Sequence, residues 1–333
     1  MIRRLILPLA LASLALPSLA AAQDRAGVYD LPAGTPTPAT DLPALRSGDT
    51  LTVIDSAPLS QSDLMMREAG FGFADLVQDN SQSRGRWIAG YARWGGQQVD
   101  DAQDSDFHTR GFVLGQGLGW QGLSAFVGYV QGQSDMEDGD HYARIRTYLY
   151  GLATDGTRGK VDYGATLFSG GTHNKLAGTR TGGVDNDGRL WGLSLRAGGP
   201  VWAGTGAGPM RFDLQTDYLR HETEGGAVAD LRADTDRRVA HVTRLKAELS
   251  MPVDTDWGTL TPYGSLAIER GEGDDIDIAV SGASTSVPAT DLLDREVLTV
   301  GAEMTLPAGF GGRLEISHAA GETGAALAVT KRF

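Results

Sequence analysis

The chain has 333 residues with no cysteine, 46 glycines, 41% apolar and 21% charged residues, and a formal net charge of -13. The acidity argues against nucleic acid as a partner, because phosphates require a basic surface. The missing cysteines exclude disulfides, thiolate-held zinc and a lipid-modified cysteine behind a leader.

Residues 1–22 carry the parts of a secretory signal peptide in order: Arg3 and Arg4, an apolar run over 5–16, and Ala20, Ala21 and Ala22 as the cleavage site. That run is shorter than the ~20 residues of a spanning helix, so the exported chain is expected to begin near Gln23. Residues 23–58 form a short N-terminal segment in which LPAGTPTPATDLP reads as an extended linker and DTLTVID as one short strand. A separate enzyme or β-helix does not fit there. SGDTL at 47–51 only grazes the G-D-S-L esterase motif, with threonine at the nucleophile position.

From Arg86 onward, period-two runs alternate with Gly, Asp, Asn and Pro clusters. They predict strands at 86–97, 108–119, 121–133, 141–153, 159–171, 187–199, 209–222, 238–251, 258–270, 294–306, 312–319 and 324–333. In PMRFDLQTDYL, Met210, Phe212, Leu214, Thr216 and Tyr218 share one face, while Arg211, Asp213, Gln215 and Asp217 share the other. In VAHVTRLKAELS, Leu245, Ala247 and Leu249 oppose Arg244, Lys246 and Glu248. A soluble sandwich would alternate in the same way.

Loop length and chemistry separate the two. Connections after odd strands are long and acidic, as in VDDAQDSDF, DMEDGD and GEGDDIDIAVSGASTSVPATDLLD; those after even strands are short, as in GWQG, TDGT and LPAGFGG. That sorting suits an up-and-down barrel with loops on one rim and turns on the other. The fold class is therefore all-β, a twelve-stranded antiparallel transmembrane barrel, with apolar residues outward and polar ones inward. Closure satisfies every backbone group that lipid cannot. Trp87, Tyr91, Trp94, Tyr148, Tyr150, Trp191, Trp257 and Tyr263 are candidates for the interfacial girdles. A cation at the lipid midplane costs about 2–4 kcal/mol, so Arg144, Arg146, Arg196, Arg211, Arg244 and Lys246 are expected to point into the lumen.

The last strand puts Ala325, Leu327, Val329 and Phe333 on one face, interrupted by Lys331. A terminal aromatic on an alternating strand resembles the assembly signal of bacterial outer-membrane barrels, which implies Phe333 as that signal. It also implies the barrel-assembly machinery, periplasmic chaperones and outer-membrane lipids as partners. Lys331 departs from the apolar residue usual there.

RGRWIAGYARWGGQ at 84–97, RGFVLGQGLGW at 110–120, SAFVGYVQGQSD at 124–135 and LTPYGSLAIER at 260–270 resemble strands of an autotransporter translocator domain, the membrane unit of type V secretion. The resemblance covers 86–333. It implies protein translocation without ATP or a cofactor, a monomer, and a helix threaded through the pore just before the first strand. The segment 59–85 is the place for that helix, with 60–82 as candidate and its start capped by Ser60 with Asp63, or by Ser62 itself. Gly70 and Gly72 each cost about 1 kcal/mol relative to alanine, so the helix would rely on the barrel wall for order. Asp63, Glu68, Asp75 and Asp79 are candidates to pair with lumen cations. Some autotransporters cut themselves at an asparagine in this segment. Asn80 is the one asparagine here, without the usual asparagine pair.

Two other classes compete. A small-solute channel would need an open lumen. A rim hydrolase would use His108 beside Asp106, or His141 beside Asp138 and Asp140, to activate water or a serine. The translocator reading assigns no catalytic residue, metal or cofactor.

Overall fold

The computed structural model describes residues 27–333 except 35, 38, 41–42, 55, 82–84, 98–103, 121, 137–140, 179–182, 203–208, 229–232, 281–282, 290–291 and 320–321. The expected leader, 1–22, lies outside the described residues. The N-terminal elements are β1 (Gly27–Asp30), β2 (Ala44–Ser47), β3 (Thr50–Val53) and α1 (Ser56–Asn80). Next come β4 (Arg86–Gln97), β5 (Ser105–Gly117), β6 (Leu123–Met136), β7 (His141–Arg158), β8 (Val161–Gly178), β9 (Val184–Trp202) and β10 (Met210–Thr223). The short β11 (Gly226–Val228) and β12 (Ala233–Thr235) precede β13 (Arg238–Ser250), and β14 (Val253–Thr255) precedes β15 (Gly258–Gly273). The chain ends with β16 (Ile276–Val280), β17 (Ala283–Val287), β18 (Arg295–Thr305), β19 (Phe310–Ala319) and β20 (Glu322–Arg332).

Twelve of these strands pair antiparallel in chain order, β4 to β10, then β13, β15, β18, β19 and β20. The β20–β4 ladder, with Leu327 opposite Ala92, closes the barrel. Each predicted strand has a counterpart. β7, β8 and β9 run to 18, 18 and 19 residues, because cross-strand pairing continues into segments expected to be loops.

The two faces are sorted as a lipid-facing wall requires. Leu114, Val127, Leu152, Leu167, Leu195, Leu214, Leu245, Leu266, Leu298, Leu314 and Leu327 are all exposed and point outward, one apolar belt passing through strand after strand. A water-soluble monomer does not present such a band. Aromatics edge the belt. Phe112, Tyr129 and Tyr148 form one contiguous group, with ring centroids 6.2 and 5.0 Å apart, and Trp191 packs on Tyr218 at 5.0 Å. Towards the turns the edge consists of exposed Trp120, Tyr163, Trp202, Trp257 and Phe310. Trp191 and Trp202 are both on β9, roughly 36 Å apart along the strand and ~26–28 Å in height at the usual tilt, which matches a hydrocarbon band of about 25 Å. Trp87, Tyr91 and Tyr263, expected as girdle candidates, have the opposite parity and face the lumen. Trp87 is 2% exposed, the Tyr91 hydroxyl donates to the Ala69 carbonyl, and Tyr263 donates to Glu315.

The N-terminal segment is more ordered than a linker. β1, β3 and β2 form a three-stranded antiparallel sheet. The two longest loops supply a second sheet, β11-β12-β16-β17, beyond the loop rim. Ile54, Leu176, Val184, Val228, Ile276, Ile278 and Val287 bury one shared apolar core beneath these sheets. Alternating apolar residues explain why: Ile276, Ile278 and Val280 are buried, and Asp277 and Ala279 between them are exposed. A short strand cannot persist alone, and this core lets β1–β3 do so.

Candidate functional site: the plugged lumen

Helix α1 crosses the lumen from the loop rim to the turn rim. It begins at Ser56, earlier than the 60–82 expected, so Ser60, Ser62 and Asp63 lie inside the helix and do not cap it. At the other end the Arg332 guanidinium donates to the Asp79 carbonyl at 3.0 Å, filling one of the acceptors a helix C-terminus leaves open. Gln82 lies outside the described residues.

One side of the helix is seated apolar against β4 to β10. Phe73 meets Phe126 and Phe168 with ring centroids at 5.7 and 5.2 Å, and Met65, Ala69, Phe71 and Val77 are fully buried. The two glycines that weaken the isolated helix permit this approach. A Cβ at Gly70 would lie 2.5 Å from Leu219 Cδ1, and one at Gly72 would lie 2.7 Å from the Tyr91 ring.

The other side is ionic. Glu68, Asp75 and Asp79 are spaced seven and four residues apart and fall within about 40° on the helix surface. The barrel wall meets each with arginine. Glu68 takes Arg295 at 2.6 Å and Arg93 at 3.2 Å, Asp75 takes Arg244, and Asp79 takes Arg313 at 3.2 Å and Arg196 at 3.5 Å. Nearer the loop rim, on another face of the helix, Asp63 holds Arg238 at 2.5 Å. Wall acids take the remaining donors: Asp217 binds Arg244 Nε at 2.7 Å, Glu269 binds Arg295 Nε at 2.7 Å, and Asp213 binds Arg196 at 3.1 Å. Buried charge of this density holds only when both partners are present, because removing one leaves the other unpaired in low dielectric. Between helix and wall, a gap of about 40 Å³ lined by Asp75, Asp79, Arg93, Arg313 and Glu315 has room for a few water molecules.

The residues expected in the lumen divide in two. Arg196, Arg211, Arg244 and Lys246 point inward, Arg211 onto Asp162 at 2.7 Å and Lys246 onto Glu248 at 3.5 Å. Arg144 and Arg146 do not. Ala143, Ile145 and Thr147 are buried inward, so Arg144 and Arg146 share the outward face with Tyr148 and Tyr150. The cost argument fails for them because β7 continues past the aromatic edge, where an outward cation meets water and headgroups instead of hydrocarbon. Arg93, Arg238, Arg295 and Arg313 join the lumen as well. Their signal lay in parity: Arg93 alternates onto the face of Trp87 and Tyr91, and Arg313 onto that of Glu315.

Asn80 is buried at the helix end, its amide donating to the Leu76 carbonyl at 2.8 Å, with Arg332 3.4 Å from its Oδ1. Phe333 lies on the outward face at the turn rim, 76% exposed, its backbone N–H donating to the Arg86 carbonyl at 2.9 Å. Lys331 turns its ammonium to the Ala308 carbonyl, 4.0 Å over the Phe310 ring, so its charge sits at the rim. His108 and Asp106 share the outward face of β5, where they line an open recess with Trp94, Asp135 and Glu322. The His141 side chain, Asp138 and Asp140 lie outside the described residues. Among the described residues no cluster of three or more His, Cys, Asp or Glu is arranged to hold a metal ion.

A closed, twelve-stranded barrel defines a class by its fold, and solved structures share that fold. The translocator domain of autotransporter NalP from Neisseria meningitidis matches at 16% identity with a TM-score of 0.59, over 83% of this chain and 100% of that one. The transport unit of the autotransporter AIDA-I from Escherichia coli matches at 12% identity and 0.55, over 84% of this chain and 100% of that one. The β domain of the Bordetella autotransporter BrkA matches at 18% identity and 0.53, over 75% of this chain and 100% of that one. No family model matches the sequence, and no curated protein does. The fold is that of autotransporter translocator domains.

Proposed function

We propose that the chain is an outer-membrane barrel of autotransporter type that inserts and carries its own short N-terminal segment to the cell surface. The observation that supports this most directly is the direction of α1. Asp63, near its start, pairs with Arg238 at the loop rim, and Asp79, near its end, meets Arg332 at the turn rim, where β4 also begins. The segment before the helix therefore emerges on the side opposite the C-terminus.

On this reading residues 1–22 are a leader removed on export, 23–58 are the displayed segment, 59–85 occupy the pore and 86–333 are the translocator. Folding and assembly drive the transfer, with chaperones and the barrel-assembly machinery as partners. The protein acts as a monomer, without a cofactor or a catalytic residue. An epitope tag at Pro36, probed with antibody on intact cells, tests it. The tag is expected to be reached without permeabilisation; labelling only after the outer membrane is broken overturns the reading.

A further inference from the structure

Arg146, one of the two arginines that leave the lumen, belongs to a pattern. On β5, β7 and β9, all descending from the loop rim, an arginine precedes an aromatic by two residues: Arg110 and Phe112, Arg146 and Tyr148, Arg189 and Trp191. On ascending β10 the order reverses, Tyr218 then Arg220. Residues two apart on a strand share a face, so each cation stands about 7 Å outside an aromatic of the girdle.

Between β7 and β9 the surface is recessed. Gly171 of β8 is in register with Tyr148 on one side and Arg189 on the other, and a side chain at Gly171 would meet no atom within 4 Å. Arg146 and His173 stand across the strands just above, and Lys175 above them. Arg110, Arg146, Arg189 and Lys175 are exposed, and among the described residues none of the four is in an ion pair. The nearby acids are engaged: Asp185 and Asp187 hold His173 at 3.2 and 3.0 Å, and Glu222 holds Arg220 at 3.0 Å. With Arg220 and Glu222 cancelling, the three cations Arg146, Arg189 and Lys175 outnumber the two acids Asp185 and Asp187, so the formal charge around the recess is +1.

We propose that this recess, built by Gly171 with Arg146 and Arg189, binds the phosphorylated headgroup of an outer-leaflet lipid. Guanidinium groups match phosphate in shape and charge. The position favours a lipid over a soluble anion: the cations stand directly above aromatics that end the apolar belt, so acyl chains can lie along Tyr150 and Leu167 while the phosphate meets Arg146 and Arg189. The inference rests on the outer-membrane reading above.

The test uses the full chain purified in dodecyl maltoside, titrated with bis-phosphorylated lipid A and read by native mass spectrometry. Wild type is expected to retain lipid A at least ~10-fold more tightly than Arg146→Gln/Arg189→Gln, since each cation near a charged membrane surface contributes severalfold. Gly171→Leu fills the recess without changing charge and is expected to lose a similar factor. Arg270→Gln, on β15 and four strands from β8, is expected to match wild type. Heat-modifiable migration on gels verifies that each variant is folded, and Arg146→Lys/Arg189→Lys is expected to recover part of the loss.

Equal retention by wild type and both recess variants overturns the proposal, as does equal retention of lipid A stripped of its phosphates. Displacement by glucosamine 1-phosphate at the same concentration overturns the lipid assignment. Protease protection of wild type in lipid A vesicles is measured separately. Failure to insert overturns the membrane reading and this inference with it, whereas insertion with unaltered variants overturns this inference alone.

Discussion

Arg244 and Asp75 meet across the lumen in a two-pronged pair: Nη1 to Oδ2 at 3.0 Å and Nη2 to Oδ1 at 2.6 Å. The same guanidinium binds Asp217 through Nε at 2.7 Å and lies 4.3 Å over the Phe71 ring. One side chain therefore ties the middle of the helix to two wall positions. This pair and its neighbours make the lumen a set of mutually dependent charges.

Arg244→Ala would leave Asp75 and Asp217 facing each other without their cation. Removing one partner of a buried pair costs about 3–5 kcal/mol, and this variant is expected to fall in that range. Asp75→Asn keeps an acceptor for the guanidinium and leaves Asp217 in place, so its loss is expected to be smaller. The temperature at which the folded band disappears on gels should rank wild type, then Asp75→Asn, then Arg244→Ala. Equal values for all three would show that the helix is held by its apolar side alone.

Gly70→Val sets two effects against each other. Valine raises the intrinsic helix propensity by a few tenths of a kcal/mol over glycine, while overpacking a filled site costs about 1–3 kcal/mol. Leu219 is fully buried, and its Cδ2 is already within reach of Gly192, where an added Cβ would lie 2.7 Å from it. It has little room to yield, so the packing cost should win. The same substitution in an isolated peptide of residues 56–80 should raise helicity, as measured by circular dichroism. Opposite signs in the two settings are the expected result.

Much of this arrangement was legible in the sequence. Alternation, turn chemistry and loop sorting located twelve strands, since a wall between lipid and a polar lumen leaves a period-two record along the chain. Arg244, Arg196 and the helix acids followed from charge placed on the inward parity. Arg144 and Arg146 were misread because the cost of a cation in hydrocarbon was applied without knowing how far β7 extends past the membrane, although Tyr148 and Tyr150 on the same parity already pointed outward. Of the sheet β1-β3-β2, β3 was visible as the short strand in DTLTVID, whereas β1 and β2 were hidden for another reason. They are four residues each, too short for a period to register, and the core of the sheet is completed by Ile276, Ile278 and Val287 from a distant loop.

The helix should also govern conductance. α1 packs directly on β4 to β10, and the gaps beside it are small, about 60 Å³ near Leu59 and Ser62, 40 Å³ beside its acidic stripe and 10 Å³ near Gln78. Intact protein in planar bilayers is expected to carry little current, and a variant lacking residues 56–80 a large and steady one. Equal conductance before and after the deletion would return the lumen to the channel reading.

Phe333 offers a separation of assembly from stability. Its ring is 76% exposed, and in the folded barrel it has Lys331 Nζ 5.6 Å from its centroid. So little burial contributes little to the folded state, and deleting Phe333 should change the gel melting temperature only slightly. If the residue is read by the assembly machinery, the same deletion should lower the amount of barrel in the outer membrane severalfold. Lys331→Leu removes the bond to Ala308 and the contact with Phe310, both at the solvent-facing rim, and puts an apolar residue where the family pattern has one. Its membrane yield is therefore expected to equal or exceed wild type. A Phe333 deletion that lowers melting temperature and yield together would mean that the ring acts through packing, and unaltered yield would place the assembly signal elsewhere in β20.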